Sequence, residues 1–149
     1  MRAVVQRVRD ASVTVDGAVT GAIDHGLLVY LGIEDADDDS HLSWLCDKLA
    51  ALRIFPDDEG RMNRSVVDVG GGVLVVSQFT LFASTRKGTR PSFARAGKPD
   101  HARALYEAFL ARMATLVTQV GSGVFAAHMD VAAINDGPVT ITIDSHARE

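Results

Sequence analysis

Four residues at the end of an apolar run, Ser77, Gln78, Phe79 and Thr80, are the first in this chain whose types point to chemistry. The segment GGGVLVVSQFTLF reads as a valine-rich strand from Val73 to about Phe79, and Ser77, Gln78 and Thr80 interrupt an otherwise buried stretch. Polar side chains there need partners, from the protein or from a ligand. Taken alone, a hydroxyl at a strand end is more often a local hydrogen-bonding group, so both readings stand at this point. Directly afterwards, residues 84–98 carry Arg86, Lys87, Arg90, Arg95 and Lys98, with no acid between positions 86 and 98. Gly88, Pro91 and Gly97 make this a loop, and Phe93 offers a stacking surface. It is either a solvated charged loop or an anchor for the phosphates of RNA. A third stretch, INDGPVTITID at 134–144, sets Asn-Asp-Gly-Pro between two strand-like runs. Read locally, Gly137-Pro138 is the turn of a hairpin, because proline cannot donate to a sheet ladder.

Other chemistries find no support. A serine hydrolase elbow needs Gly-x-Ser-x-Gly, which is absent. The five histidines, His25, His41, His101, His128 and His146, show no i,i+4 pair and no cysteine partner, so no metal site is expected. Gly70-Gly71-Gly72 precedes a strand and lacks a following Lys-Ser/Thr, which makes it a turn and not a phosphate loop. The acidic run EDADDDS at 34–40 lacks the glycine and distal glutamate of an EF-hand; it reads as a solvated loop ending in a helix cap at Asp39 or Ser40.

These residues need a scaffold. Valine-rich runs at 2–8 and 12–16 read as two short strands, Asp16-Gly17 as a hairpin turn, and 19–23 as the returning strand. LLVYLGI at 27–33 is apolar throughout, as in a strand covered on both faces. Leu42, Leu45, Cys46, Leu49 and Leu52 recur at helical spacing, predicting a helix over 41–53 with Cys46 inert in its apolar stripe. Residues 55–63 read as loop. A second helix starts at Pro99-Asp100 with Ala102, Leu105, Tyr106, Phe109, Met113 and Leu116 on one face, and strands at 121–134 and 139–143 close the chain. The order β-β-βα-βα-β predicts a single α/β domain over residues 1–149, with mixed sheets packed against two helices as β/β/α layers.

Bulk properties agree with a folded domain. The 149 residues are 47% hydrophobic and 23% charged, and the net charge of −4 offers no overall attraction to nucleic acid. One cysteine excludes an intrachain disulfide and fits a reducing compartment. MRAVVQRV has no signal-peptide h-region, and no apolar run approaches the roughly 20 residues that span a bilayer, so a cytoplasmic protein without membrane partners is expected.

Together, SQFTL at 77–81, RPSF at 90–93 and NDGPVT at 135–140 resemble the D-aminoacyl-tRNA deacylases. The likeness runs nearly end to end, through QRV with Arg7, ASVTV, GLLVYLG, the RIF…G-x-MN segment at 53–63 and the G-x-F-x-A-x-M-x-V run at 123–131; the departure is the short polar tail at 145–149, which touches no motif. SQFTL paired with NDGPVT is specific, whereas either alone is weak. The resemblance implies hydrolysis of the ester between a D-amino acid, or mischarged glycine, and the terminal ribose of tRNA, without cofactor or DNA partner. It also implies a homodimer with its active sites at the interface. Ser77, Gln78, Phe79 and Thr80 then line the catalytic pocket, and Met129, Asn135 and Asp136 contact substrate. Gly137-Pro138 carries a cis peptide that enters the partner's pocket as a chiral gate, held by Arg7. Arg86, Lys87, Arg90 and Phe93 receive the tRNA.

The physics is compatible with those roles. An aminoacyl ester is already reactive, so oriented water and donors for the developing oxyanion suffice; the backbone N–H groups around Phe79 and Thr80 are the candidates. Thr80 is either a nucleophile or, the favoured reading, a positioning group. Rejection of L residues calls for a steric wall indifferent to side-chain identity, and Gly137-Pro138 is the candidate wall. Two rivals remain at this stage: an RNA-binding module without catalysis, and a structural protein in which these motifs serve only the fold.

Overall fold

The computed structural model describes residues 1–148. Its elements run β1 (Arg2–Val15), β2 (Ala18–Ile23), β3 (Gly26–Gly32), α1 (Asp39–Ala51), β4 (Phe55–Pro56), β5 (Met62–Arg64), β6 (Gly72–Ser77), a 3-10 turn (Phe79–Phe82), α2 (Pro99–Leu116), β7 (Gln119–Ser122) and β8 (Asp130–Asp144). β1 is one continuous strand where the sequence suggested two, because its first half pairs with β3 and its second half with β2. Asp16 and Gly17 turn the chain between β1 and β2 with φ of 49° and 79°, the left-handed pair that a two-residue hairpin loop needs.

One mixed six-stranded sheet, ordered β2-β1-β3-β6-β7 with β8 added against β1, curls until β2 meets β7. Thr20 Oγ1 donates to Ser122 O across that seam at 3.4 Å. The curl accounts for the expected layers: both are parts of the same sheet. Its concave side is filled by Val8, Ala11, Val13, Ile23, Leu28, Leu74 and Val76. On the other side Leu27, Val29, Leu31, Val73 and Val75 pack under α1 and α2, against Leu45, Leu49, Phe109 and Met113. β3 and β6 are therefore covered on both faces, which is why they read as unbroken apolar runs. Each fully buried leucine in these layers contributes about 2–3 kcal/mol.

β3 and β6 start at Gly26 and Gly72, which face each other in the parallel register. A methyl group on Gly26 would land inside the van der Waals sphere of Gly72 O, which is backbone and cannot swing aside. Gly26→Ala is expected to cost on the order of 3 kcal/mol, read as a lower denaturation midpoint at unchanged m-value.

Several local expectations need correction. The α1 cap is Asp38, one residue earlier than expected: its Oδ1 accepts from Ser40 N at 2.9 Å and His41 N at 3.2 Å, and its own N–H donates to His41 Nδ1. The Ser40 hydroxyl and the His41 groups hold the Asp38 carboxyl below the usual carboxylate range. The acidic run is not wholly solvated either, since Asp37 is 2% exposed. Its carboxylate takes Glu34 N at 2.8 Å, His146 Nε2 at 2.8 Å and the Met1 ammonium, which also donates to Ser145 Oγ. The polar tail is accordingly docked through residues 145 and 146. Residues 55–63, expected as loop, enter the small β4-β5 ladder, which ends at Arg64. The strand expected to reach Phe79 ends at Ser77.

Candidate active site

Parallel pairing of β6 with β3 ends at Leu31↔Ser77, and Gln78 N then donates to Leu31 O at 2.8 Å as the chain leaves the sheet. The next residues wind into the 3-10 turn, whose first N–H groups have no intrahelical acceptor. Among the described residues, neither Phe79 N–H nor Thr80 N–H finds a partner elsewhere, and Gln78 provides no side-chain cap. The turn thus presents two free amide donors beside a cavity of about 530 Å³ that Ser77, Gln78 and Phe79 line. The Thr80 side chain does not line it; its Oγ1 accepts a hydrogen bond from Gln78 Nε2.

A second wall is formed by residues 125–129 of the segment between β7 and β8. Gly123 N donates to Val75 O at 3.1 Å, and Ala126 adopts a left-handed φ of 64°. Met129 lines the cavity, and its sulfur sits where a side chain on Gly123 would have to go. Phe125 is fixed from two sides, by Tyr106 at 5.9 Å between ring centroids and by the Arg103 guanidinium 4.7 Å over its ring. The Tyr106 hydroxyl donates to Val75 O at 2.9 Å, and burial pushes its pKa up to about 12, so it remains a neutral donor. Gly97 closes a third side, its N–H donating to Ile33 O at 2.8 Å. The only titratable side chain on the lining is His128, and it is 95% exposed. The cavity offers shape and donors but no enclosed general base.

Gly137 and Pro138 lie elsewhere, both exposed and outside this cavity. They do not form a hairpin turn. β8 stays paired with β1 on either side of them, from Gln6↔Thr140 to Val8↔Asn135, so Arg7 alone faces residues 136–139. The surplus residues are pushed out as a bulge, and the Gly137-Pro138 bond within it is cis. Asn135 closes the base: its Nδ2 donates to Arg7 O at 3.0 Å and Val139 O at 3.1 Å. The Arg7 guanidinium reaches Ile54 O through Nη1, and its Nε lies 3.0 Å from Asp136 Oδ2. In this chain Asn135 and Asp136 therefore build the corner; they do not line the cavity with Met129.

Phe79 and Phe93 meet edge to face at 5.2 Å and are 56% and 39% exposed. Residues Ser84 and Ser92 tie the basic loop together with reciprocal bonds of 2.8 and 3.0 Å. Arg86, Lys87 and Arg90 are exposed on it, whereas Arg95 turns back to Glu34 at 3.7 Å. Cys46 is buried as expected, and desolvation pushes its thiol up to about 12, outside the range of a reactive thiolate.

What the sequence did not signal is the second half of the cavity. Ala96, Gly97, Pro99 and Ala102 are ordinary residues brought there by the approach to α2. Nor did spacing signal that His41 and His146 stack at 4.1 Å, with ligand atoms of both and of Asp37 within 4.8 Å of one another.

Residues 4–144 match the profile of the D-Tyr-tRNA(Tyr) deacylase family. The chain belongs to that family. A D-aminoacyl-tRNA deacylase of Opitutus terrae is 63% identical over 150 residues, covering 100% of both chains. One of Thermus aquaticus is 56% identical, over 97% of this chain and 95% of that one. Among solved structures, the c-Myc DNA unwinding element binding protein superposes with a TM-score of 0.91 at 40% identity, covering 97% and 98% of the two chains. A probable eukaryotic D-amino acid tRNA deacylase, 18% identical with a TM-score of 0.82, shares the fold. No helix among the described residues of this deacylase-family chain is long and apolar enough to cross a membrane.

Proposed function

We propose that this chain hydrolyses the ester between a D-amino acid and the 3′-terminal ribose of tRNA, in the cytoplasm where charged tRNA is found. The observation that carries this reading is the pair of unpartnered amides at Phe79 and Thr80 beside a cavity without an enclosed base. Water adds to the acyl carbon, the charge that develops on the carbonyl oxygen falls on those two N–H groups, and the C–O bond to the ribose breaks. The leaving oxygen takes up the proton that the water loses. The adjacent ribose 2′-OH orients the water, so no side-chain base is required. Removing one such donor typically costs about 10²–10³ in rate. Thr80 acts as a positioning group, consistent with its hydroxyl being taken up by Gln78. Ser77 and Gln78 frame the acyl group, Met129 covers it, and Arg86, Lys87 and Arg90 with Phe93 receive the acceptor end of the tRNA.

The active unit is a homodimer. The outer edge of β8 has no strand partner among the described residues, and Ile134 on it is 53% exposed. Such an edge is a template for another chain. In the dimer the Gly137-Pro138 corner of one copy enters the cavity of the other, with Asn135 and Asp136 of that copy beside the substrate. Backbone there blocks the side chain of an L residue whatever its identity, admits D residues, and has nothing to exclude in glycine, so glycine mischarged on tRNA is also a substrate.

Incubation with D-Tyr-tRNA and L-Tyr-tRNA tests this directly. Tyrosine is expected to be released from the D form alone, and Thr80→Ala to keep turnover within about tenfold, against the roughly 10⁶ lost with a true nucleophile. Release from both forms removes the gate, release from neither removes the enzyme, and an acyl-enzyme trapped on Thr80 makes it the nucleophile.

A further inference from the structure

The 3-10 turn borders a second concave surface. Phe79 lines the catalytic cavity, while Leu81, two residues on, lines a cleft of about 620 Å³ between α1, the start of β1 and the end of β8. Three cations, Arg2, Lys48 and Arg148, stand on its otherwise mostly apolar walls. Arg148 places its guanidinium 4.6 Å over the Trp44 ring, and Lys48 Nζ lies 5.5 Å from the same centroid. Arg2 is the third, paired through Nε with Asp144 Oδ2 at 2.9 Å, the one carboxylate on the lining. Among the described residues Lys48 and Arg148 form no ion pair, although the whole chain is acidic at −4. The Trp44 ring and the bond from Arg148 Nε to Ser145 O at 2.9 Å hold the Arg148 guanidinium in place.

The cleft is also connected to the basic loop. Arg2 Nη1 donates to Leu81 O at 3.1 Å, and its guanidinium lies 4.7 Å over the Phe82 ring. Arg95, at the end of the basic loop, approaches the same ring at 5.8 Å. Cations therefore continue from Lys48 and Arg148 through Arg2, paired with Asp144, to Arg95, paired with Glu34, and along the chain to the exposed Arg90, Lys87 and Arg86. A single small anion would occupy one pair of these cations. A line of them fits a polyanion.

The geometry points to this cleft as a binding site for the sugar-phosphate backbone of the tRNA, on the opposite flank of the turn from the basic loop. Lys48 and Arg148 contact phosphates, and Trp44 gives the guanidinium a fixed seat. The inference rests on the deacylase reading for the identity of the RNA, and its own content is the place and chemistry of a second contact. Reading phosphates alone, it adds affinity that is independent of both the amino acid and the base sequence.

The test is the doubly substituted chain Lys48→Glu/Arg148→Glu, with Lys48→Ala/Arg148→Ala as the milder form should charge reversal impair folding. At about 0.1 M salt, binding of uncharged tRNA is expected to weaken about tenfold or more, and the slope of log K against log salt to shrink by about 1.5–2, one counterion-releasing contact per lost cation. With D-Tyr-tRNA the loss appears in KM, with kcat kept; with D-tyrosyl-adenosine, which carries the ester but no RNA backbone, kcat/KM stays at the native value. Unchanged tRNA affinity and slope in both variants overturn the proposal. So does an equal loss on D-tyrosyl-adenosine, which makes the cleft a support of the catalytic turn, and so does dissociation of the dimer in sedimentation, which makes it a subunit contact. Should the native chain release nothing from D-Tyr-tRNA, the deacylase reading fails by itself, and the tRNA-binding arm still decides the cleft.

Discussion

Arg7→Met is expected to reduce the preference for D- over L-aminoacyl-tRNA by about 10–10²-fold, the equivalent of about 1.4–2.8 kcal/mol of lost discrimination. Arg7 is the single β1 residue opposite the four-residue bulge 136–139, and its guanidinium lies against Asp136 and Gly137 of that corner. It bonds Ile54 O, lies 3.0 Å from the Asp136 carboxylate, and packs so closely on Gly137 that a Cβ there would stand 3.0 Å from Nη2. Methionine fills similar volume without charge or donors. The Asp136 carboxylate, 24% exposed, then keeps only Arg9 at 3.8 Å, itself 72% exposed and weakly held. The corner is freed to move away from the position in which the proposed gate would block L residues. The same loss costs the fold about 2–3 kcal/mol, because a largely buried carboxylate and a backbone carbonyl lose their partner. The two effects separate experimentally: the ratio of kcat/KM for D-Tyr-tRNA and L-Tyr-tRNA reads the gate, and a denaturation curve reads the fold. A lowered midpoint with an unchanged ratio would leave Arg7 a structural residue and sink the steric gate.

Gly137→Ala is expected to lower kcat on D-Tyr-tRNA by about 10²-fold with KM within a few-fold of native. Gly137 has a φ of 118°, where L residues are strained, and the added methyl would lie 2.9 Å from Val139 Cγ2 and 3.2 Å from Val139 N. Val139 N is backbone, and its retreat would pull on the bond from Asn135 Nδ2 to Val139 O that helps close the bulge. The corner shifts, and a displacement near 1 Å at a positioning element is commonly worth about 10² in rate. The proposed phosphate contacts, on the basic loop and in the cleft beside Trp44, are untouched, which is why KM is expected to hold. Steady-state kinetics over a full tRNA range separates the two parameters; a large rise in KM at native kcat would mean that the corner serves tRNA binding instead of orienting the ester.

The docked carboxylate at Asp37 shows what local reading cannot supply. EDADDDS is polar enough to be solvated at every position, and all that distinguishes Asp37 is that Met1, Ser145 and His146 arrive beside it from the two ends of the chain. The same holds for the pocket wall at Ala96 and Gly97, whose residue types carry no chemical signal and whose position comes from the bond between Gly97 N and Ile33 O. By contrast, the helix stripe through Leu42, Leu45, Cys46 and Leu49 and the two-sided burial of β3 were legible, because periodicity records which faces meet apolar neighbours.

INDGPVTITID divides along the same line. Residue types alone determined that proline interrupts the ladder, that SQFTL ends an apolar strand with polar groups, and that the basic loop follows directly. Tertiary structure decided that Asn135 and Thr140 pair with the same strand β1, so that Asn-Asp-Gly-Pro leaves the sheet as a bulge and not as a hairpin turn. It also decided that the chain after Ser77 tightens into a turn with two free amides. Alternation and turn propensity are properties of neighbours in sequence. Register, and the identity of the strand across the ladder, depend on β1, more than a hundred residues earlier in the chain.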